Sequence, residues 1–224
     1  MIKIDGSQGE GGGQILRTSV SLAAALGESI TIDNIRSNRP KPGLRPQHLH
    51  SIQTIAELSN STTEGLDLNS TKVSLHPNNI SSKNIDINIG TAGSITLLVQ
   101  SLLQSISISG KTFMFTITGG TDVNWSPSAD YLCKIVIPLL EKFGFSITSS
   151  IIKRGFYPKG SGKIIFKVKS PTKIKPISII EPEYSNLVID GIITSDSSIS
   201  KPQSQIDEQC LYAKTFLEQH QLNI

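Results

Sequence analysis

One order of elements, stated twice, constrains the fold of this chain more than any single motif. Ile2-Lys3-Ile4-Asp5 alternates as a half-buried strand does and runs into a glycine-rich loop, Gly6 to Gly13. A helical pattern follows from Gln14 to Leu26, with Gly27 placed to end it in a left-handed conformation. Next come a strand over Ser29 to Ile35, a helix over Arg45 to Leu58, and short strands at Thr63 to Leu66 and Lys72 to Leu75. The second copy has strand Asn84 to Ile89, the small-residue loop Gly90-Thr91-Ala92-Gly93-Ser94 and helix Ile95 to Ser105. Strand Thr112 to Thr118, helix Ser128 to Phe143 and strands Phe145 to Lys153 and Lys163 to Lys169 complete it. The unit is βαβαββ, repeated with a period of roughly 80 to 85 residues. The expected class is α/β (α+β), with copies over about 1–80 and 81–170.

Beyond Lys169 the texture changes. Pro171 and Pro176 mark a linker, Leu187 to Ile193 reads as a strand, Ser195 to Ser204 as a polar turn, and Gln205 to His220 as a helix. One strand and one helix do not close a core. The expected division is a core over 1–183 and an unfinished second domain over 184–224.

Composition narrows the function classes. Charged residues are 17% of 224 and the net charge is +3, which disfavours both disorder and a wholly basic nucleic-acid coat. Two cysteines, Cys133 and Cys210, cannot build a disulfide framework or a four-cysteine metal site. Met1 leads directly into a strand rather than a secretory segment, and the apolar stretch Ile95 to Ile108 is too short and polar to span a bilayer. The expectation is a cytoplasmic protein with no membrane partner.

Two loops carry the chemistry. In Asp5 to Arg17, glycines at 6, 9, 11, 12 and 13 allow close backbone approach to a ligand, and the following helix offers unpaired N–H groups to an anion. Gln14 breaks a dinucleotide fingerprint begun at Gly9, and Ser105 breaks a P-loop ending at Gly110-Lys111-Thr112. Glu10 inside this loop suits a divalent cation, which prefers hard oxygen ligands. The second loop, Arg36 to Arg45, holds four cations (Arg36, Arg39, Lys41 and Arg45) broken by proline and glycine. Its guanidinium groups suit phosphate. His48 and His50 are two apart on a predicted helix and point to different sides, so a shared metal is not expected. Two further loops, Gly119 to Pro127 and Arg154 to Gly162, lie between repeat elements; the first holds the only tryptophan, Trp125.

Asp5 to Arg17, Lys41-Pro42-Gly43 with Gln47-His48-Leu49, Gly93-Ser94 with Gln100, Gly119-Gly120-Thr121-Asp122 and Arg154-Gly155-Phe156-Tyr157-Pro158 form an ordered set. That set resembles the RNA 3′-terminal phosphate cyclases over nearly all of residues 1–183. The resemblance implies repeated βαβαββ units with a smaller inserted domain, which 184–224 would begin. It implies ATP-dependent conversion of an RNA 3′-phosphate to a 2′,3′-cyclic phosphate, with ATP and Mg²⁺ or Mn²⁺ as cofactors and RNA bearing a 3′-phosphate as partner. In that family a histidine takes AMP from ATP, AMP passes to the RNA phosphate, and the neighbouring 2′-hydroxyl expels it. Carried over by position, Glu10 is the metal carboxylate, and Arg17, Arg36 and Arg39 bind phosphate. Gln47 and His48 support the site, while Gln100, Gln14 and Pro127 contact the nucleotide. Two positions depart: Pro46 stands where the family has an arginine before Gln-His, with Arg45 one earlier, and Ser161 interrupts a glycine run. No histidine here matches the AMP acceptor, so the chain is expected to lack it. The alternatives are a non-catalytic relative acting in ribosomal-RNA processing and a module that binds RNA ends or nucleotides.

Overall fold

The computed structural model describes residues 1–180, 192 and 202–219. The expected strand at 187–193 and His220 lie outside the described residues. By compactness the chain divides into Met1–Ile177 and Ser178–Ile224.

The first unit contains two four-stranded sheets built to the same plan. Strands β1 (Ile2–Asp5), β2 (Ile30–Asp33), β3 (Thr62–Glu64) and β4 (Val73–His76) are ordered β1-β2-β4-β3. Strands β5 (Asn84–Asn88), β6 (Thr112–Gly119), β7 (Ser146–Lys153) and β8 (Gly162–Lys169) are ordered β5-β6-β8-β7. In each sheet the first pair is parallel and the other two are antiparallel. A parallel pair needs a crossover connection, supplied by α1 (Gly13–Leu26) in one copy and α3 (Ile95–Ser105) in the other. The mixed α/β class and the βαβαββ order are therefore present twice.

Alternation sets which face of each strand is buried. Phe113, Phe115 and Ile117 of β6 point inward, as do Ile164, Phe166 and Val168 of β8, with Phe115 opposite Phe166. The rings of Phe113 and Phe115 stack at 5.9 Å. Helix α1 packs on α2 (Pro46–Leu58) and α3 through Leu16, Val20, Ala23 and Ala24. These small and branched residues let the helices approach closely.

Helix boundaries follow local chemistry. Gly27 ends α1 at φ 70° and its N–H returns to the Ala23 carbonyl. Ser94 caps α3 by accepting from the Leu97 N–H at 3.2 Å. The expected single helix over 128–143 is instead three pieces: α4 (Ala129–Tyr131), a π-helical stretch (Leu132–Val136) and α5 (Ile137–Lys142). Pro138 is the physical reason: it cannot donate to residue 134 and its ring crowds that carbonyl, so the preceding turn widens.

In the second unit, α6 (Pro202–Gln219) begins three residues before the expected Gln205. Proline is favoured in a first helical turn because the N–H it lacks would be unpaired there.

Candidate phosphate site

The glycine loop between β1 and α1 is held at its start by Asp5. Its carboxylate accepts from the Ser7 hydroxyl at 2.7 Å, the Ser7 N–H at 3.0 Å and the Asn34 amide at 3.2 Å. Gly9 and Gly11 sit at φ 59° and 56°, a region costly for residues with a Cβ. Gly13 is glycine for a different reason. A Cβ there would collide with the His48 imidazole and crowd the Arg17 guanidinium. Backbone and two functional side chains thus meet at one point.

The basic loop closes over this loop. Asn38 donates to the Ser7 carbonyl at 3.1 Å, and Arg39 pairs with Glu10 at 3.0 Å. Arg36 is held at φ 55°, an uncommon backbone state for a long side chain, in a segment where Asn34 is also left-handed. The Nε atoms of Arg36 and Arg39 are buried and have no hydrogen-bond partner among the described residues. A buried donor left unmade is costly, and a charged one more so. Acceptor oxygens of an anion are the kind of partner such donors lack.

Helix α2 supplies the floor. The Arg45 N–H donates to His48 Nδ1 at 3.2 Å, which fixes the neutral tautomer with its proton on Nε2. His48 is buried, and its pKa falls from the usual 6.5 to about 4. Burial is the main cause, followed by the charges of Arg36, Arg17 and Arg45. Arg17 is buried too, which pulls its pKa below the usual arginine range. Its Nη2 donates to Gln14 Oε1 at 2.9 Å. Arg36 is likewise depressed, first by burial and then by Arg39 and Arg45. Guanidinium groups gathered this densely repel one another, and a bound phosphate would relieve that repulsion.

The structure therefore brings Glu10, Arg17, Arg36, Arg39 and His48 together. Gln47 precedes His48 on α2, and its Nε2 is buried without a partner. Arg45, one place before Pro46, turns to Asn69 Oδ1 at 2.7 Å. The nucleotide residues divide. Gln14 and Gln100 line one cleft of about 460 Å³ with Leu103, Val136, Leu140 and Phe143. Pro127 is not among the residues lining that cleft; its carbonyl accepts from Thr96 Oγ1 at 2.8 Å.

Glu10 is the carboxylate of the glycine loop itself, and its side chain is 90% exposed. Among the described residues no three His, Cys, Asp or Glu side chains gather as a metal site. That set fits a magnesium-like ion shared with phosphate oxygens, since such ions are commonly held by one or two carboxylates plus a substrate.

Two participants, Asn38 and Ser51, carry no expectation from the sequence, and a third, Arg154, stands there only as part of a loop motif without its partners. Asn38 ties the two loops, but a loop asparagine carries no pattern of its own. Ser51 lies one turn beyond Gln47 and also buries an unpartnered polar atom, Oγ; the i,i+4 spacing of two polar residues on a buried helix face was its signal. Arg154 binds Asp130 bidentately at 2.6 and 3.0 Å and Asp122 at 3.2 Å. That triad joins the residue after β7 to α4 and to the loop before it, through pairs 24 and 32 residues apart.

Fold and site together define a class: a duplicated α/β protein with a cluster of guanidinium groups between a glycine loop and a helix. The family model described as RNA 3′-terminal phosphate cyclase matches residues 8–219. The chain belongs to that family. It is 47% identical over 193 residues to an RNA 3′-terminal phosphate cyclase of Pyrococcus abyssi, covering 86% of this chain and 56% of that protein. A Methanopyrus kandleri protein of the same name is 42% identical over 182 residues, covering 81% and 51%. One from Archaeoglobus fulgidus is 40% identical over 220 residues, covering 98% and 65%. The chain thus spans about half to two thirds of these relatives' lengths. Among the described residues no helix is long and apolar enough to cross a membrane.

Proposed function

We propose that this chain contributes the phosphate-binding half of an ATP-dependent RNA 3′-phosphate cyclase site. The observation that carries the reading is the pair of buried Nε atoms on Arg36 and Arg39 that have no partner among the described residues, with Arg39 paired to Glu10 and the Arg36 charge felt at His48. Cations of fixed geometry already hold the place where phosphate charge would gather, so little reorganisation is needed at reaction.

The reaction converts an RNA 3′-phosphate and ATP into a 2′,3′-cyclic phosphate, AMP and pyrophosphate. Arg17, Arg36 and Arg39 neutralise and orient the phosphates. Gln47 holds a phosphate or ribose oxygen through its unpartnered amide. Gln14 and Gln100 receive the nucleotide at the apolar cleft; Pro127, outside that lining, is held by Thr96 and would contact the nucleotide only beyond the cleft. Glu10 would hold Mg²⁺ or Mn²⁺, which supplies charge neutralisation at the departing pyrophosphate. Glu10 must then release Arg39, so that metal and RNA phosphate replace the 3.0 Å ion pair with contacts of their own.

His48 is a support rather than the AMP acceptor. Its Nδ1 lone pair is engaged by the Arg45 N–H, its Nε2 carries the proton, and the ring is packed against Gly13. A nucleophilic imidazole needs a free, accessible lone pair. No histidine of this sequence is assigned that role.

The test is incubation with ATP, Mg²⁺ and a 3′-phosphorylated oligoribonucleotide, followed by intact-mass analysis of protein and RNA. This chain is expected to carry no AMP adduct. A longer protein containing it is expected to yield phosphatase-resistant cyclic ends. AMP attached to this chain would overturn the assignment of its histidines, and phosphatase-sensitive ends throughout would overturn the reaction.

A further inference from the structure

A second cleft, of about 430 Å³, is lined by Gln47, Gly93, Leu97, Asn124, Trp125 and Tyr157 among others, and by none of the arginines. Its lip is unusual. Trp125 is 100% exposed and Tyr157 is 82% exposed. Exposing two large aromatic rings beside one cleft gives up their hydrophobic stabilisation. Trp125 is also held at φ 65°, a conformation that bulky side chains rarely adopt.

The supports beneath this lip are rigid. Thr96 holds the Pro127 carbonyl at 2.8 Å, and the Thr121 N–H donates to the Gly155 carbonyl at 2.8 Å. Arg154 clamps Asp122 and Asp130. The two aromatic loops are therefore fixed to one another, with the rings left in water. At the cleft's inner end the Gln47 Nε2 is buried and unpartnered.

We propose that this cleft is a nucleobase subsite for the RNA strand, in which a base near the 3′ end stacks on Trp125 and Tyr157. Its polar edge meets the amide of Asn124, while Gln47 keeps its place toward the phosphate or ribose. The inference rests on the phosphate-site reading above, because Gln47 and His48 are adjacent on α2 and join the base cleft to the arginine cluster. An open aromatic lip suits a strand that enters from solvent and accepts any base, since every base presents a π face. ATP has the separate, more apolar cleft at Gln14 and Gln100. Amide side chains pair with base edges without demanding one base.

Trp125 is the single tryptophan of the sequence, so its emission reports on this cleft alone. The experiment titrates the chain with a 3′-phosphorylated oligoribonucleotide and with the same oligonucleotide made abasic at its last two positions. The intact strand is expected to quench Trp125 saturably. The abasic strand is expected to bind about 5- to 100-fold more weakly, the range that base stacking supplies. Trp125→Ala and Tyr157→Ala, read by anisotropy of labelled RNA, are expected to weaken the intact strand and leave the abasic strand unchanged. Both side chains are exposed, so folding is spared.

Equal affinity for intact and abasic strands overturns the proposal. Quenching by ATP that RNA cannot displace assigns the cleft to ATP and overturns it too. Emission that shifts with protein concentration in the absence of RNA assigns the face to a second copy, with the same consequence. Base-dependent quenching that is indifferent to the 3′-phosphate upholds the base subsite and rejects the phosphate-end reading instead.

Discussion

His48 shows how much one residue's surroundings decide. Between pH 6.5 and 4 the unfolded chain binds a proton that the folded protein refuses, because burial and three arginines oppose the charge. The stability tied to the neutral ring is therefore complete above about pH 6.5 and is lost as the pH falls toward 4. A shift of this size corresponds to about 3 kcal/mol. Chemical denaturation across this range is expected to show wild type losing more stability than His48→Asn, which keeps an acceptor but does not titrate. Parallel pH profiles would mean that His48 is solvated. A phosphate bound to the neighbouring arginines would offset their charge and raise the His48 pKa, so ligand should make the acid loss of stability smaller and end it at a higher pH.

At the scale of elements, the Arg154 triad holds loops whose own sequences specify little. Arg154→Met would leave the half-buried carboxylates of Asp122 and Asp130 without their cation, at a cost of about 1.5–3 kcal/mol. Arg154→Lys keeps the charge but loses the fork geometry, and an intermediate loss is expected. Equilibrium urea denaturation distinguishes the three proteins; equal midpoints would show the triad to be idle. The Asp130 carboxyl is held below its usual range chiefly by its hydrogen bond from Arg154. This contribution is present above the ordinary carboxylate pKa and disappears as pH falls through the lowered one. The triad was not legible in the sequence, because nothing local signals an ion pair across 24 residues. Helix α3 was legible to the residue: a serine cap follows a loop of small residues, and the apolar face is continuous. The break at Pro138 was legible in principle and went unread, because the surrounding periodicity is strongly helical.

At the scale of the molecule, duplication places two parallel β-α-β openings in one unit. Each opening leaves a loop of small residues before a helix, Gly6–Gly12 in one copy and Gly90–Gly93 in the other. The copies then specialise. The first gathers arginines around its loop, and the second gathers aromatics. The βαβαββ order was legible because strand and helix periodicities differ and glycine separates them. The site was legible as a set of residue types, but its joining was not. The pairing of Glu10 with Arg39 spans 29 residues, and the packing of His48 on Gly13 depends on how α2 meets α1. Both are products of tertiary structure.

The central claim is that the glycine loop and the arginine loop form one phosphate site. It is tested most directly by the affinity of the chain for one oligoribonucleotide ending in a 3′-phosphate or a 3′-hydroxyl, at two salt concentrations. The phosphate end is expected to bind more tightly by at least about 10-fold, because a charged hydrogen bond is worth roughly 1.5–3 kcal/mol. That preference should disappear in Arg39→Ala, with retained folding checked by its urea midpoint; the side chain is 38% exposed. Equal affinity for the two ends, or an undiminished preference in Arg39→Ala, would contradict it.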